Sequence, residues 1–161
     1  MVTEKEIWAY LEEVSDPEIP VLTVVDLGVV RAVEITETRC HVTITPTYSG
    51  CPAMKMIEEQ IIEKLTEKGI ENVKVSLVLS PAWTTDWLTE SGKNKLREYG
   101  IAPPEHEVDK SVLFSEPTVV PCPQCESRNT KMISQFGSTA CKAHYQCNEC
   151  LEPFDYFKCL K

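Results

Sequence analysis

The chain begins with apolar residues at helical spacing. Ile7, Leu11 and Val14 recur at every third or fourth position after residues 3–6, whose sequence TEKE has the form of a capping box. The pattern predicts a short amphipathic helix that ends near Val14. Residues 15–20 contain two prolines, and the helix cannot continue through them because proline forces the residue before it out of the helical region.

Alternating apolar residues predict three strands further on. Residues 29–35 and 40–45 have the composition of two strands joined by a turn at 36–39, and residues 73–79 alternate strictly. In the second strand Cys40, Val42 and Ile44 share one face, so we expect Cys40 to be a core residue. His41, on the opposite face of that strand, has no spacing that predicts a ligand.

Two further helices are predicted, one on each side of the third strand. Pro52 suits a first helical turn, Gly69 suits the position after a last turn, and the apolar stripe between them comprises Met56, Ile57, Ile61 and Leu65. The last helix is expected from about residue 85 to residue 99, with three apolar residues facing inward: Trp87, Leu88 and Leu96. The order α-β-β-α-β-α predicts an α+β fold in two layers.

The C-terminal region has a different pattern, in which four cysteines form two C-x-x-C pairs. Cys122 and Cys125 are separated from Cys147 and Cys150 by 21 residues. Two such knuckles can place four thiolates around a tetrahedral metal ion with bonds of about 2.3 Å. We therefore expect a two-layer domain at 1–101, a proline-containing linker at 102–120 and a small metal-bound β ribbon at 121–161. Disulfide pairing is the alternative to metal.

The identity of the metal and its ligand set stay open at this point. Tetrahedral sulfur sites accept zinc or iron, so a structural zinc ribbon and an iron site both fit the spacing. Three further candidate ligands lie in the same region: Cys141, His144 and Cys159. We choose the knuckle cysteines because a knuckle supplies its ligands in pairs.

The N-terminal composition indicates the cellular compartment, and the charge indicates the class of binding partner. The N-terminal residues lack the apolar core of a secretory signal and no apolar stretch is long enough to span a bilayer, so we expect a cytoplasmic protein with reduced thiols. Residues 1–120 contain 21 acidic and 11 basic residues, whereas residues 121–161 contain four and five. A body of that sign repels phosphate backbones, which argues against nucleic acid and favours protein partners.

A second candidate site surrounds a single cysteine in the first domain. Cys51 is predicted at the N-cap of the second helix, where free amide groups and the helix dipole favour a thiolate that can act as a nucleophile or a metal ligand. A small capping residue that packs is the alternative. Asp16 and Glu18 could bind a metal or orient a partner, although capping and solvation also explain them. No catalytic motif is recognisable, which predicts a non-enzymatic role.

Several motifs resemble known families. Residues 16–20 (DPEIP), 25–30 (VDLGVV) and 45–52 (TPTYSGCP) are similar to the iron–sulfur assembly domain of SufT-like proteins. Residues 80–87 (SPAWTTDW), 136–141 (FGSTAC) and 152–159 (EPFDYFKC) narrow the resemblance to the PaaD family, also called PaaJ, whose members are accessory subunits encoded with phenylacetyl-CoA epoxidase.

The resemblance implies a non-catalytic helper in aerobic phenylacetate degradation. Such a subunit would help to mature the iron–sulfur cluster or metal centre of the reductase or oxygenase component, and those subunits would be its partners. Cys51, Asp16 and Glu18 match the functional positions of the family. A single thiolate cannot hold a cluster, so any iron or cluster would be bound transiently, with a second copy of the chain, a partner or the ribbon cysteines supplying further ligands. The alternative is an iron-tetrathiolate or iron–sulfur electron carrier.

Overall fold

The computed structural model describes residues 1–48, 50–104, 119–137 and 142–157. The chain forms two compact units, the first comprising Met1–Trp83 and Trp87–Gly92 and the second comprising Thr84–Asp86 and Lys93–Lys161. In the described part of the chain, no helix has the length and apolar content that crossing a bilayer requires.

The first unit contains two helices and a three-stranded sheet. Helix α1 spans Glu4–Leu11 and helix α2 spans Ala53–Glu67; the strands are β1 (Val30–Thr36), β2 (Arg39–Ile44) and β3 (Val73–Leu77). The sheet order is β1-β2-β3, with β1 antiparallel and β3 parallel to β2. A parallel pair needs a crossover connection, and α2 provides it. The predicted α-β-β-α-β order and the mixed α+β class are confirmed.

Local interactions explain how α1 begins and which face it buries. The Thr3 side chain accepts the Glu6 amide at 3.3 Å, and the Glu6 carboxylate accepts the Thr3 amide at 2.7 Å, which completes the predicted capping box. Ile7 and Leu11 are both fully buried. Helix α1 ends at Leu11, three residues earlier than the pattern suggests, although Val14 is buried as well.

The core of this unit follows the predicted strand pattern but shifts the helical stripe. Cys40, Val42 and Ile44 are buried, as expected for one face of β2. On α2 the buried residues are Ala53, Met54, Ile57, Ile61 and Leu65. The assignment of Met56 to this stripe is wrong, because its side chain is 50% exposed. Met54 lies one turn before Ile57 and two turns before Ile61, and it takes the place expected for Met56.

The segment after β3 is anchored to the DLG motif of residues 26–28. The Trp83 indole N–H donates to the Leu27 carbonyl at 2.7 Å, and Trp83 is buried. Gly28 has φ +70°, and a Cβ atom there would lie directly against the Trp87 carbonyl oxygen and 2.7 Å from the Trp87 Cβ. Glycine is therefore required by both backbone conformation and space.

The last predicted helix begins later than expected. A single 3₁₀ turn covers Thr85–Trp87, and helix α3 spans Glu90–Tyr99. The Thr89 hydroxyl accepts the Gly92 amide at 3.0 Å and so caps α3, which fixes its start. Leu88 and Leu96 are buried as predicted, whereas Trp87 is half-buried.

The second unit contains a four-stranded sheet in the order β4-β7-β6-β5. Its strands are β4 (Ile101–Ala102), β5 (Thr130–Ser134), β6 (Lys142–Cys147) and β7 (Pro153–Phe157). Strands β5, β6 and β7 are antiparallel, and β4 runs parallel to β7. The Tyr145 ring lies between Phe154 and Tyr156, with centroid distances of 5.8 and 5.7 Å. These rings form the apolar centre of the ribbon together with Cys122 and Cys147.

The division of the chain differs from the boundary expected at residue 101. The two compact units divide within α3, between Gly92 and Lys93. Ile101 and Ala102 pair with Asp155 and Tyr156 of β7, so they belong to the ribbon sheet. Most of the expected linker, residues 105–118, lies outside the described residues.

Candidate metal centre and cysteine site

The two knuckles of the ribbon bring four cysteine sulfurs together. The Sγ atoms of Cys122 and Cys150 lie 3.7 Å apart, and those of Cys125 and Cys147 lie 3.6 Å apart. All four sulfurs lie within 4.8 Å of one another. A regular tetrahedron with metal–sulfur bonds of about 2.3 Å has edges of about 3.8 Å, so the spacing and the donor type fit zinc or iron.

The backbone of each knuckle prepares its sulfurs to carry negative charge. The amide of Gln124 donates to the Cys122 sulfur at 3.4 Å, and the amide of Glu149 donates to the Cys147 sulfur at 3.4 Å. Both contacts join a cysteine to the amide two residues later. Such N–H groups stabilise a thiolate, so the knuckles are organised for anionic sulfur before any cation arrives.

A second repeated feature closes each knuckle. The Cys122 amide donates to the Ser127 carbonyl at 2.9 Å, and the Cys147 amide donates to the Glu152 carbonyl at 3.0 Å. The residue after the second cysteine of each pair has positive φ: 61° at Glu126 and 64° at Leu151. The two knuckles are thus near copies of one turn.

Burial and acidity are uneven within the four-cysteine cluster. Cys122 and Cys147 are buried, whereas Cys125 and Cys150 are exposed. The backbone amides of Cys150 and Glu149 lower the pKa of Cys147 to about 7. The Glu152 amide favours the Cys150 thiolate, but desolvation and hydrogen bonds with the Cys125 and Cys122 thiols outweigh it and raise the pKa of Cys150 to about 12. A cation that binds at this cluster displaces thiol protons, so metal binding there depends on pH.

The further candidates of this region are placed as follows. His144 lies on β6 with its Nδ1 atom 3.5 Å from an Asp155 carboxylate oxygen. Among the described residues, the converging group consists of Cys122, Cys125, Cys147 and Cys150 and does not include His144. Cys141 and Cys159 lie outside the described residues.

Cys51 lies in the loop that leads from β2 into α2. Pro52, with helical φ and ψ, is the N-cap of α2, so Cys51 lies one residue earlier than expected. The Cys51 amide donates to the Tyr48 carbonyl at 3.2 Å, which closes a tight turn. The Cys51 sulfur accepts hydrogen bonds from the Ala53 amide and from the Tyr48 side chain.

The predicted thiolate at Cys51 is not the resting form. Burial raises the pKa of the Cys51 thiol, and the carboxylates of Glu18 and Asp16 raise it further, while the hydrogen bonds from Ala53 and Tyr48 act in the opposite direction. The expectation of a lowered pKa at a helix N-cap is therefore wrong. The physical reason is that the sulfur is half-buried and faces two negative charges.

Asp16 and Glu18 reach the surroundings of Cys51 through a turn that Asp16 itself stabilises. One Asp16 carboxylate oxygen accepts the amides of Glu18 and Ile19, both at 2.8 Å. Asp16 is buried, and Glu18 is partly exposed. The structure thus brings Asp16, Glu18 and Cys51 close enough to interact electrostatically, but in the described part of the chain they do not converge as metal ligands.

Tyr48 is the residue near this site that sequence reasoning does not find. Its hydrogen bond to the Cys51 sulfur depends on the turn that returns the chain over three residues. The only sequence signal is an aromatic residue in a short loop that contains glycine and proline, and that signal is too common to indicate a role.

The fold and the two cysteine sites define a protein with an α+β domain that carries a single half-buried cysteine, followed by a four-cysteine ribbon. Residues 4–77 match the family described as iron–sulfur cluster assembly protein, and residues 106–158 match the PaaD zinc beta ribbon domain. The chain is 52% identical over 155 residues to a protein of Escherichia coli (strain K12) named provisionally as a subunit of 1,2-phenylacetyl-CoA epoxidase; the match covers 96% of this chain and 92% of that one. The chain belongs to the PaaD family of epoxidase subunits.

More distant relatives match the first unit. A protein of Porphyromonas gingivalis named Fe-S protein maturation auxiliary factor is 38% identical over 96 residues, covering 58% of this chain and 90% of that one. Among solved structures, a domain of unknown function from Bacillus anthracis superposes with a TM-score of 0.55 at 29% identity, covering 58% of this chain and 90% of its own. A conserved hypothetical protein from Thermotoga maritima gives 0.51 at 31% identity, with 59% and 94% covered.

Proposed function

We propose that this chain is a non-catalytic accessory subunit of a phenylacetyl-CoA epoxidase system that helps to mature the iron–sulfur cluster or metal centre of the reductase or oxygenase component. The observation that carries the proposal is the environment of Cys51. A half-buried thiol accepts hydrogen bonds from the Ala53 amide and the Tyr48 side chain and faces the carboxylates of Asp16 and Glu18.

This environment favours a Cys51 sulfur bound to a cation over a bare thiolate. The two carboxylates that disfavour the bare anion attract a positive ion, and the amide and hydroxyl donors support the sulfur once it is anionic. The cargo, iron or an iron–sulfur cluster, would exchange with the thiol proton at the sulfur. Because Cys51, Asp16 and Glu18 do not converge as a complete ligand set, the remaining ligands would come from a partner protein or a second copy of this chain. Such binding is transient, which is what delivery requires.

In this proposal the ribbon has a structural role. Cys122, Cys125, Cys147 and Cys150 would hold one zinc ion, which supplies four bonds between the knuckles and no redox chemistry. The two buried sulfurs belong to the apolar cluster around Tyr145, Phe154 and Tyr156, so the ion would stabilise the fold from within its core. The ribbon would then serve to dock a subunit of the complex.

The relatives support this assignment from two directions. The E. coli relative is named as an epoxidase subunit, and the P. gingivalis relative is named as an Fe-S protein maturation auxiliary factor. We propose the reductase and oxygenase components as partners and the cytoplasm as the location, where thiols remain reduced.

The test is to produce the reductase and oxygenase components in cells that lack this protein, that contain it, or that contain Cys51→Ser. We expect both components to reach full iron content and activity only with the unaltered protein. Full metal complement and activity in the cells that lack it would refute the proposal. Cys147→Ser serves as a second variant, because it disturbs the ribbon without touching Cys51.

A second candidate function is electron transfer through an iron tetrathiolate in the ribbon. The observation that favours it is that Cys125 and Cys150 are exposed, so two sulfurs of the cluster would be open to a redox partner. Elemental analysis and a visible spectrum of protein purified without added metal decide between the two. One zinc per chain and no colour exclude the carrier, whereas iron with visible absorption that survives in Cys51→Ser would establish it.

A further inference from the structure

Strand β3 is the place where the sequence pattern and the observed burial disagree most. Residues 73–79 alternate as a strand with one apolar face should, yet none of the residues of β3 is buried. Leu77 is 48% exposed, and Leu79, two residues past the end of the strand, is 59% exposed. Val73 and Val75 are partly buried, so the exposed part of this apolar face is its end, Leu77 and Leu79. Neighbouring exposed leucines mark a surface that another element can contact.

The backbone of β3 is available as well as its side chains. In the described part of the chain the sheet order is β1-β2-β3, so β3 has a strand neighbour on one side only. The free edge presents a row of N–H and C=O groups that an extended segment can pair with as a fourth strand. Alternate side chains of such a segment would then meet Leu77 and Leu79.

This edge lies at the same end of the unit as Cys51. Strands β2 and β3 run parallel with Ile44 opposite Leu77, and the chain leaves the end of β2 to reach Cys51 and then α2. The first turns of α2 therefore belong to that end, and they carry the third exposed apolar residue, Met56. An extended segment docked on the edge would run toward the thiol.

Charge indicates the kind of segment that fits. The first unit contains fifteen acidic and seven basic residues. The acidic residues near this end and the docking strand are Glu18, Glu58 and Glu59, and they still outnumber the basic ones, Lys55 on α2 and Lys74 on β3 itself. A segment with lysine or arginine complements this negative surface better than a second copy of this chain, which carries the same net charge. Three half-exposed side chains are also far from the 800 Å² or so that a stable interface buries on each partner, so the contact is suited to transient docking.

We propose that the free edge of β3, together with Leu77, Leu79 and Met56, docks an extended segment of a partner protein in which apolar residues are flanked by lysine or arginine. The inference rests on the proposed function in one respect, namely that a partner protein approaches Cys51. It adds the surface that receives the partner and the chemical character of the docked segment.

The experiment uses the full-length protein and a fluorescein-labelled peptide KKVTVTVKK, with binding followed by fluorescence anisotropy. We expect saturable binding that weakens as salt is raised, no binding of the charge-reversed peptide EEVTVTVEE, and at least a tenfold loss for KKVTVTVKK methylated at alternate backbone nitrogens, which cannot pair as a strand. Equal binding of the two charge forms, no binding of either, or undiminished binding of the methylated peptide would overturn the proposal.

Matched variants locate the surface. The double variant Leu77→Lys with Leu79→Lys should weaken binding of the basic peptide at least tenfold. The control is Ile133→Lys, which places one lysine on β5, the last strand of the other sheet in the described part of the chain, at a residue that is 53% exposed. All these positions are exposed, so the variants should fold, which circular dichroism checks. An effect of Ile133→Lys equal to that of the double variant contradicts the assignment, as does a dimer in sedimentation that the double variant dissociates, since the occupant would then be a second copy.

Cys51→Ser separates this inference from the proposed function. The serine variant should bind the peptide as the unaltered protein does while losing maturation activity. Loss of maturation activity without peptide binding in any form would reject the docking edge and leave the maturation role standing. Peptide binding by a protein that has no effect on metal content would reject the maturation role alone.

Discussion

The two cysteine sites of this protein differ in how complete they are. The ribbon holds four sulfurs within 4.8 Å of one another, each pair set on a turn whose amides point at sulfur. The other site offers one sulfur, Cys51, whose pKa is raised by burial and by the carboxylates nearby. The first arrangement can saturate a tetrahedral ion by itself, whereas the second must borrow ligands. Preorganisation thus separates a resident metal from a cargo, although both sites use the same side chain.

The surroundings of the sulfurs reinforce this difference. Cys122 and Cys147 belong to an apolar cluster with three aromatic rings, so removing an ion from their site would expose or unpair buried groups. Cys51 is in a loop between β2 and α2. A loop position costs less to rearrange than a core position, which suits repeated binding and release.

The largest expected effect comes from removing a buried knuckle sulfur. In Cys147→Ser we expect the loss of stoichiometric metal and the unfolding of the ribbon, because structural zinc contributes on the order of 10 kcal/mol to small zinc domains. Metal content by elemental analysis and the dispersion of the aromatic NMR signals measure it. Cys51→Ser is the matched control and should keep one metal ion per chain. Equal metal loss in both variants would show that the two sites are not distinct.

A second substitution affects the first unit, which contains Cys51, instead of the ribbon. Gly28→Ala should destabilise the first unit by about 3 kcal/mol, since a side chain at φ +70° is strained and its Cβ would meet the Trp87 backbone. Thermal unfolding measures the loss, and the metal content of the ribbon should stay unchanged. The control is Gly50→Ala, which has φ +82° but no atom within 4 Å of the added Cβ and so carries the conformational strain alone. Equal destabilisation of the two variants would remove the role of Trp87.

The alkylation rate of Cys51 tests whether nearby negative charge contributes to the raised pKa of its thiol. Its raised pKa predicts slow alkylation at neutral pH and a rate that climbs with a midpoint above about 8.5, the value for a free cysteine. Glu18→Gln removes a negative charge, which lowers the pKa and increases the thiolate fraction. At pH 7.5 we expect iodoacetamide to modify Cys51 severalfold faster in this variant, though less than tenfold. Mass spectrometry of the modified peptide measures it.

Glu63→Gln supplies the control for that measurement, because Glu63 is on an exposed part of α2. It should leave the alkylation rate within about twofold of the unaltered protein, since exposed charges are largely screened. A Glu18→Gln protein that reacts more slowly than the parent would reverse the sign of the argument. An unchanged rate would mean that burial alone accounts for the raised pKa.

Local patterns predict most of this fold because they depend on neighbouring residues. The capping box at Thr3 and the alternation through Cys40, Val42 and Ile44 both appear where the sequence indicates them. The convergence of four knuckle sulfurs follows from spacing alone. The first two features need two or three nearby positions, and the third needs only the two short cysteine motifs.

The remaining features depend on distant residues. Strand β4 has two residues and exists because Ile101 and Ala102 meet β7 more than fifty positions later. The exposure of Leu77 depends on how much of β3 the helix α2 covers, and the alternation of apolar residues in the sequence does not give that extent. The raised pKa of Cys51 comes first from burial and then from the carboxylates of Glu18 and Asp16, some thirty residues earlier, so a helix-cap rule applied to the local sequence gives the wrong direction.

The smallest expected effect concerns the positive φ that follows the second cysteine of each knuckle. Leu151 follows the second cysteine pair, has φ +64° and is exposed. Its backbone carbonyl accepts a hydrogen bond from the Gln146 side chain at 3.1 Å, and any residue at position 151 keeps that bond. Leu151→Gly should stabilise the metal-bound ribbon by up to about 1 kcal/mol, because glycine adopts this conformation without the Cβ clash. Leu151→Ala, which loses the same exposed side chain but keeps a Cβ, should bring no gain. Guanidinium unfolding of the two variants compares their free energies of unfolding directly. A glycine variant that is less stable than the alanine variant would show that the chain entropy of glycine outweighs the conformational strain at this position.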